Sequence, residues 1–387
     1  MIVSEKSDRE PLRILVHAPL GVGGVSGLML SIQKNMDREK LNFDYLVFHD
    51  REEPQEQMAY DLGSKKVVAS ADEIKNKCIR GIVRLFRIRK VCRENHYQVL
   101  HFNGGAPMGL LSMLAARLGG VKHITFHSHN GGMSNEGFFV KPVSALCKPF
   151  MNFVVDDYWA CSGLAAEFSF PRSVVKRKKY YFMPNAIDVE KYAYNEAVRK
   201  SVRQELGLDG KYVVGHAGRF NHQKNHEFLI EIFQAIHEKD AGTVLILFGV
   251  GELMEHIKEK VHLLGLDDSV IFYGNSHEMY RMYQAMDVFL MPSKFEGLPV
   301  TGVEAQAAAL PVVFSDGITR EVCLTENVSY LPLNESAETW ADSVLSYKGA
   351  LRISQTERLR EAGFEQASMV EHFQAYYMEI GKKLGIV

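Results

Sequence analysis

The segment MDVFLMPSKFEGLPVTGVEAQA, residues 286–307, decides how this 387-residue chain folds. Residues 287–291 read as a short buried strand, because an unbroken apolar run bounded by turn residues suits a covered sheet. Pro292-Ser293 ends the strand, a loop presents Glu296-Gly297, and Pro299 opens a helix over 299–309. Proline suits the first helical position, where its missing N–H would have gone unpaired. The amides of Val300, Thr301 and Gly302 then stand at the positive end of the helix dipole, a ready site for a diphosphate.

The same alternation runs outward in both directions. Upstream lie strand 212–217, helix 225–239, strand 243–248, helix 252–264, strand 269–273 and helix 277–286; strand 311–314 follows. The first half repeats it, with strands at Leu12–Leu20, Phe43–Phe48, Lys66–Ala69, Val99–Asn103 and His123–His127. Amphipathic stretches at Gly24–Met36, Asp72–Asn95 and Pro107–Leu118 separate those strands. Apolar runs alternating with helical periodicity imply parallel sheets. Two such blocks predict an α/β chain of two doubly wound, Rossmann-like domains, 1–190 and 191–367, joined at about 185–210. A last amphipathic helix, over about 368–384, would return residues 368–387 to the first domain. Ligands in such sheets sit outside the carboxyl ends of the strands. Two such edges facing each other would form a deep interdomain cleft.

A hydrophobic content of 46% and a charged content of 24% are those of a soluble globular protein. The polar start MIVSEKSDREP shows no secretory signal, and no run of 18 apolar residues suggests a membrane span. Five scattered cysteines, without a C-x-x-C pair, suit reduced thiols and a cytoplasmic setting. The net charge of -2 divides unevenly: residues 1–190 carry +6 and residues 191–387 carry -8. The basic half could face a membrane surface, a lipid phosphate or an acidic glycan. Nothing points to nucleic acid.

Chemistry concentrates in two segments. In residues 293–305, Glu296 precedes the helix and Glu304 lies in its first two turns, so both can face one ligand from different depths. A carboxylate accepting two ribose hydroxyls is the natural use of Glu304, and Glu296 sits nearer a sugar. In His216–Asn225, Gly218 permits close backbone approach, and Arg219 and Lys224 bracket the loop that opens the next helix. Two cations there would neutralise the charge that grows on a departing nucleoside diphosphate. Taken singly, an interior glutamate or a loop arginine is more often a solvated side chain. The agreement of both segments with strand ends carries the argument.

Gly218-Arg219…Lys224 combined with Glu296 and Glu304, which seven residues separate, resembles glycosyltransferase family 4 of the GT-B fold. The likeness spans nearly the whole chain. HSHN (127–130), GRFNHQKNH and FEGLPVTGVEAQA look closest to bacterial exopolysaccharide or capsule glycosyltransferases. The resemblance implies retaining transfer of a sugar from a nucleotide diphosphate-sugar held mainly by the second domain to a glycan acceptor. UDP is the preferred carrier and GDP the alternative, and a basic helix in the first domain, 72–95, would suit an acceptor carried on a lipid. The resemblance implies no cofactor and no required metal. Carried over, Arg219 and Lys224 hold the diphosphate, Glu296 touches the donor sugar, and Glu304 the ribose. The amides of Leu298, Val300 and Thr301 complete the phosphate site, with Gly297, Gly218 and Gly249 lining it. Gly23 and Gly24 let the first domain approach the distal phosphate or sugar. His127 matches the family's active-site histidine, with His129 its competitor. Two departures, Ala186 for the usual glycine after Asn185 and Leu298-Pro299 after Glu-Gly, leave the donor sugar open.

Other readings compete. Gly21-x-Gly23-x-x-Ser26, with Asp50 as a ribose acid, approximates a dinucleotide-binding fingerprint and would suit an NAD-dependent oxidoreductase, but serine replaces the third glycine. A family 4 enzyme acting on a small soluble acceptor is the nearer rival. The pairs His127/His129 and His222/His226 could share a metal only with a third ligand, which the sequence does not supply. Helix 72–95 places Lys77, Arg80, Arg84 and Arg87 on one face and Ile79, Ile82, Val83 and Phe86 on the other. It reads either as a sheet-packing helix with a solvated basic face or as a basic contact to an anionic membrane.

Overall fold

The computed structural model describes residues 10–21, 24–104, 108–129 and 146–387. The chain divides into two compact units, one comprising residues up to Pro184 together with Gln366–Val387, the other Asn185–Glu365.

In the first unit, β1 (Leu12–His17), α1 (Gly24–Asn35), β2 (Leu41–Val47), α2 (Glu56–Asp61), β3 (Lys66–Val68), α3 (Lys77–Glu94), β4 (Val99–Asn103), α4 (Met108–Leu118) and β5 (His123–Ser128) succeed one another. β6 (Asp157–Ala160) and β7 (Tyr181–Phe182) complete a seven-stranded sheet of order β3-β2-β1-β4-β5-β6-β7, parallel throughout. Its order reverses between β1 and β4, which places a crevice at their carboxyl ends. The closing helix, Gln366–Lys383, belongs to this unit. Phe373 packs on Phe43 and Trp159 at centroid distances of 5.5 and 5.6 Å, and Tyr377 lies buried against His101. β7 escaped the sequence reading because Tyr181 and Phe182 are exposed and only two residues pair.

The second unit repeats the design with β8 (Tyr212–Ala217), β9 (Thr243–Phe248), β10 (Val270–Gly274), β11 (Val288–Met291), β12 (Val312–Ser315) and β13 (Val328–Leu331). Its sheet runs β10-β9-β8-β11-β12-β13, all parallel, and reverses between β8 and β11. Val214, Leu245, Leu247, Val288 and Leu290 meet Leu229, Phe233 and Ile236 of the His226–Lys239 helix and Trp340 of the Ala337–Leu345 helix in one core. The unit begins at Asn185, before the 190/191 boundary read from the sequence. The cause is local: the Ile187 amide donates to the Phe364 carbonyl at 3.0 Å, and Ile187 bridges Glu365 in parallel.

One helix is turned the opposite way from its sheet-packing reading. On α3, Ile79, Ile82 and Phe86 are 51%, 55% and 65% exposed, and only Ile88 and Cys92 are fully buried. The arginines lie inward. Arg80 donates through Nε to the Ile74 carbonyl at 2.8 Å, and Arg84 lies 5.1 Å over the Phe48 ring. Arg87 bonds the Ser70 carbonyl and Glu73. The loop 70–74 carries carbonyls and carboxylates that would otherwise lack donors, so satisfying them sets the helix rotation. Asn76 caps the helix by accepting from the Cys78 and Ile79 amides, which moves its start from residue 72 to Lys77.

Candidate functional site

The second unit gathers its chemistry where β8 and β11 end, at the reversal of strand order. Two loops meet there and are stitched together by backbone and amide bonds. Lys294 donates its amide to the Gln223 carbonyl at 2.8 Å, and Gln223 Nε2 returns a bond to the Phe295 carbonyl at 3.0 Å. Asn225 adopts left-handed backbone angles, φ 57° and ψ 45°, to turn the chain into the following helix, and its Nδ2 donates to the Pro292 carbonyl at 3.1 Å. Asparagine is among the few side chains that tolerate this conformation.

This frame brings Lys224 and Glu296 together. Lys224 Nζ lies 2.7 Å from Glu296 Oε1, both side chains mostly buried, in a close contact that is off-line for a hydrogen bond. Gly218 leaves room for the lysine, since a Cβ there would stand 3.0 Å from Lys224 Cδ and from His216 Nε2. Gly249 is constrained more tightly: φ is +122° and a Cβ would fall 2.2 Å from the Gly218 carbonyl oxygen. Arg219 is not brought to this pair. It is largely exposed and lies 3.2 Å from the exposed Glu252, a pairing of little energetic weight.

Pro299 is the residue before the helix rather than its first residue; the helix runs Val300–Ala307. The Gly302 amide is spent on the Pro299 carbonyl at 3.0 Å, which corrects its expected place among the free donors. The Val300 and Thr301 amides have no hydrogen-bond acceptor among the described residues. The hydroxyls of Thr301 and, at the end of β11, Ser293 are buried without a partner. Leu298 is buried beside them, and Gly297 lies in the connecting loop. Buried polar groups are normally satisfied, so orphaned donors at a helix start are what a bound anion would complete.

Glu304 lies on that helix. Tyr192 and Tyr283 each donate a hydroxyl to one of its carboxylate oxygens at 2.9 Å. The residue keeps partial solvent exposure, yet burial of its carboxyl pushes the pKa up to about 7 against the lowering effect of the two tyrosines and Lys191. Two lone-pair directions remain free after the tyrosines are counted, enough for two further donors. Neither tyrosine was singled out in the sequence. Tyr283 stands 21 residues before Glu304, and no spacing rule links a helix to the helix beyond the next strand.

Beneath Lys224 sits a neutral histidine pair. His216 bonds the Leu290 carbonyl at 2.8 Å, and burial holds it well below the ordinary histidine range. His226 stacks on Phe220 at 4.0 Å and is lowered to about 4, chiefly by burial and then by Lys224. His222 lies beside Lys294 instead, so His222 and His226 do not form a shared ligand pair. Among the described residues no group of three or more His, Cys, Asp or Glu side chains is placed to hold a metal ion.

In the first unit, His127 is the penultimate residue of β5 and wholly buried, its Nδ1 3.2 Å from His101 Nε2, whose Nδ1 in turn lies 2.6 Å from the Tyr377 hydroxyl. Burial, then the His129 and His101 rings, hold it well below the ordinary range. His129 is less buried, 3.9 Å from the His127 ring, with Nε2 2.7 Å from Asn103 Oδ1. Gly23 lies outside the described residues. Gly24 begins α1 exposed, and a Cβ there would meet nothing within 4 Å. Ser26, the third position of the dinucleotide-like loop, donates to the Pro19 carbonyl at 2.8 Å and so closes the turn itself.

Two parallel α/β units with a charged, amide-rich site at the second switch point define the fold as that of the GT-B glycosyltransferases. Within it, residues 198–356 form a domain matching the family described as Glycosyl transferases group 1. The chain is 29% identical over 352 residues to the Bacillus subtilis (strain 168) protein named "Putative glycosyltransferase EpsF", covering 89% of this chain and 90% of that one. It is 28% identical over 256 residues to an Escherichia coli UDP-Gal:alpha-D-GlcNAc-diphosphoundecaprenol alpha-1,3-galactosyltransferase, covering 64% of this chain and 65% of that one. The crystal structure of Anabaena HepE in complex with UDP superposes with a TM-score of 0.72 over 97% of this chain and all of that one, at 15% identity.

Proposed function

We propose that this chain is a retaining family 4 glycosyltransferase that moves a sugar from a UDP-sugar to a lipid-linked glycan acceptor in exopolysaccharide or capsule assembly, without a metal. The observation that carries the reading is the cluster at the ends of β8 and β11. The Lys224–Glu296 pair, two unoccupied amides at Val300 and Thr301, two orphaned hydroxyls and Glu304 all belong to one strand-end region. That set suits a nucleoside diphosphate, with the phosphates at the helix start and the ribose on Glu304. UDP in the HepE crystal and UDP-Gal in the name of the E. coli relative favour a uridine carrier; the diphosphoundecaprenol of that relative's name favours a lipid-borne acceptor.

In the proposed step, the bond from the sugar's anomeric carbon to the β-phosphate oxygen breaks while the acceptor oxygen bonds that carbon from the same face. The acceptor's proton passes to the departing phosphate oxygen. Lys224 neutralises the charge gathering on that phosphate, an interaction stronger in the transition state than before it. Arg219 swings from Glu252 to the same phosphates, at small cost because its present pairing is exposed. Glu296 orients Lys224 and faces the donor sugar, and His127, with His129 its alternative, is the active-site histidine of this reading.

Thermal unfolding with UDP, GDP, ADP and NAD at equal concentrations tests the donor. A ligand at a hundred times its dissociation constant adds about 2.7 kcal/mol to the stability of the form that binds it. Stabilisation by UDP that Lys224→Ala abolishes is the expected result. Stabilisation by NAD alone refutes the reading, and an inverted anomeric configuration in the product refutes the retaining mechanism.

A further inference from the structure

We infer that Tyr377 and His101 are positioning residues whose hydrogen-bond chain fixes His127 as the tautomer carrying its proton on Nε2. The inference rests on the reading of His127, with His129 its alternative, as the active-site histidine, while its test needs no substrate.

Strand pairing brings the groups together. β4 and β5 run parallel with His101 opposite Thr125 and Asn103 opposite His127. Side chains alternate along a strand, so these four share one face of the sheet. The closing helix, Gln366–Lys383, covers that face: Phe373 lies 5.4 Å from the His101 ring, and the Tyr377 hydroxyl reaches His101 Nδ1 at 2.6 Å. His101, His127 and Tyr377 are all wholly buried. An imidazole so placed is costly unless its nitrogens are bonded, and a neutral ring has one N–H and one lone pair to offer.

The neighbours agree on the direction of the chain. Burial lifts the Tyr377 hydroxyl far above its ordinary range, so it keeps its proton, and Thr125 acts against burial as a donor to the phenol oxygen would. The Tyr377 proton is thereby left for His101 Nδ1. Burial, then His129, lower His101 to about 3, so this ring is neutral and its single proton lies on Nε2. That N–H faces His127 Nδ1 at 3.2 Å. Since Nδ1 accepts, the proton of neutral His127 lies on Nε2. Two oxygens favour the same direction. Asn103 Nδ2 is spent on the His17 carbonyl at 3.1 Å, so Asn103 turns Oδ1 to the rings and raises the His101 pKa, as the acceptor of an N–H does. The Met183 amide is spent on the Ala160 carbonyl at 2.9 Å, so the Met183 group that raises the His127 pKa is its carbonyl, which only an N–H can answer. The reverse chain would turn lone pairs toward both oxygens.

The consequence is chemical. His127 Nε2 is buried with no hydrogen-bond partner in line, a donor awaiting an oxygen. A ring held this way donates at Nε2 and cannot take up a proton there, so His127 serves as a hydrogen-bond donor and not as a general base. That accords with a step in which the acceptor's proton passes to the departing phosphate. The same ring stands 3.9 Å from His129, so one fixed imidazole places both histidines.

Nitrogen-15 NMR of the whole chain labelled at histidine reads the tautomers directly, because protonated and bare imidazole nitrogens resonate far apart. In the parent, His101 and His127 should both carry the proton on Nε2. His101→Phe deletes one set of signals and should move the His127 Nδ1 signal to the position of an unbonded nitrogen. His101→Gln, whose side chain can accept from Tyr377 and donate to His127, should restore the bonded position. Tyr377→Phe should lower the ratio of the Nε2–H to the Nδ1–H form of His127 about tenfold, the worth of one hydrogen bond. A parent His127 protonated on Nδ1 overturns the inference. So do His127 signals that stay put in both Tyr377→Phe and His101→Phe, which would show that the two residues only pack. A parent with this tautomer that UDP fails to stabilise would refute the donor reading and leave the chain of bonds intact.

Discussion

Glu304 offers the most quantitative test of the donor site, through pH. Burial lifts its pKa from 4.5 to about 7, so the free protein holds this carboxyl in both forms near neutrality. A ribose diol donates two hydrogen bonds to a carboxylate but only weakly to a carboxylic acid, so nucleotide binding selects the ionised form. With a pKa of about 7 the ionised fraction rises from about 9% at pH 6 to about 91% at pH 8. Affinity should therefore strengthen about tenfold over that interval, equivalent to about 1.4 kcal/mol, and level off above it. The sign follows from the direction of the shift: a carboxyl raised in the free protein must lose its proton on binding. Titration calorimetry with UDP-glucose suits the measurement, because its diphosphate is esterified at both ends and does not itself titrate in this range. Buffers of different ionisation enthalpy should report close to one proton released at pH 6 and almost none at pH 8. Glu304→Gln should bind more weakly at pH 8 and lose the pH dependence. A flat profile in the parent, or the same slope in Glu304→Gln, would refute the assignment of the ribose to this carboxylate.

Three further outcomes follow from the same geometry. Tyr283→Phe removes a hydroxyl that favours the ionised form of Glu304, so the midpoint of the affinity profile should climb by about one pH unit, the worth of a charge-assisted hydrogen bond; a midpoint that stays put would show that Tyr283 only packs. Gly249→Ala forces a Cβ against the Gly218 carbonyl at an unfavourable φ, and should cost about 2 kcal/mol or more in denaturant unfolding; unchanged stability would contradict the described backbone. His127→Ala and His129→Ala should separate two roles: loss of the buried His127 lowers the unfolding temperature, whereas loss of the less buried His129 lowers turnover with the unfolding temperature kept. The reverse pattern would assign the sugar contact to His127.

The second unit was the more legible in sequence. Its central strands β8, β9 and β11 are buried along their whole lengths, and the segments that follow β8, β9 and β11 carry Gly218, Lys224, Gly249, Glu296 and Glu304, where sheet topology puts ligands. What escaped detection there depends on tertiary approach. Arg219 turns to Glu252, four residues past the end of β9, and Tyr192 and Tyr283 come to Glu304 from two separate helices. In the first unit the reading of α3 failed because periodicity locates two faces without saying which one is inward. Four arginines and lysines facing four apolar residues predict a buried apolar face on hydrophobic grounds alone. The acceptors of loop 70–74 reverse that outcome, and they lie on a segment without helical or strand periodicity.

The raised pKa of Glu304 also indicates where the site stores its binding energy. In the free protein this carboxyl takes up a proton that the unfolded chain would not hold between pH 4.5 and about 7, so its contribution to stability declines as pH rises through that window. Tyr192 and Tyr283 do not remove the desolvation cost, since the pKa remains raised after both bonds are made. The same holds at the helix start, where the Val300 and Thr301 amides and the Ser293 and Thr301 hydroxyls lack partners. Each is a group whose satisfaction awaits a molecule bearing two hydroxyls at one end and anionic oxygens at the other. Nucleotide binding should therefore stabilise the second unit more steeply at pH 8 than at pH 6, and Glu304→Gln should raise the stability of the free protein at pH 8 while weakening its response to UDP. A Glu304→Gln variant less stable than the parent at pH 8 would show that the carboxylate is a structural support rather than a cost held for the ligand.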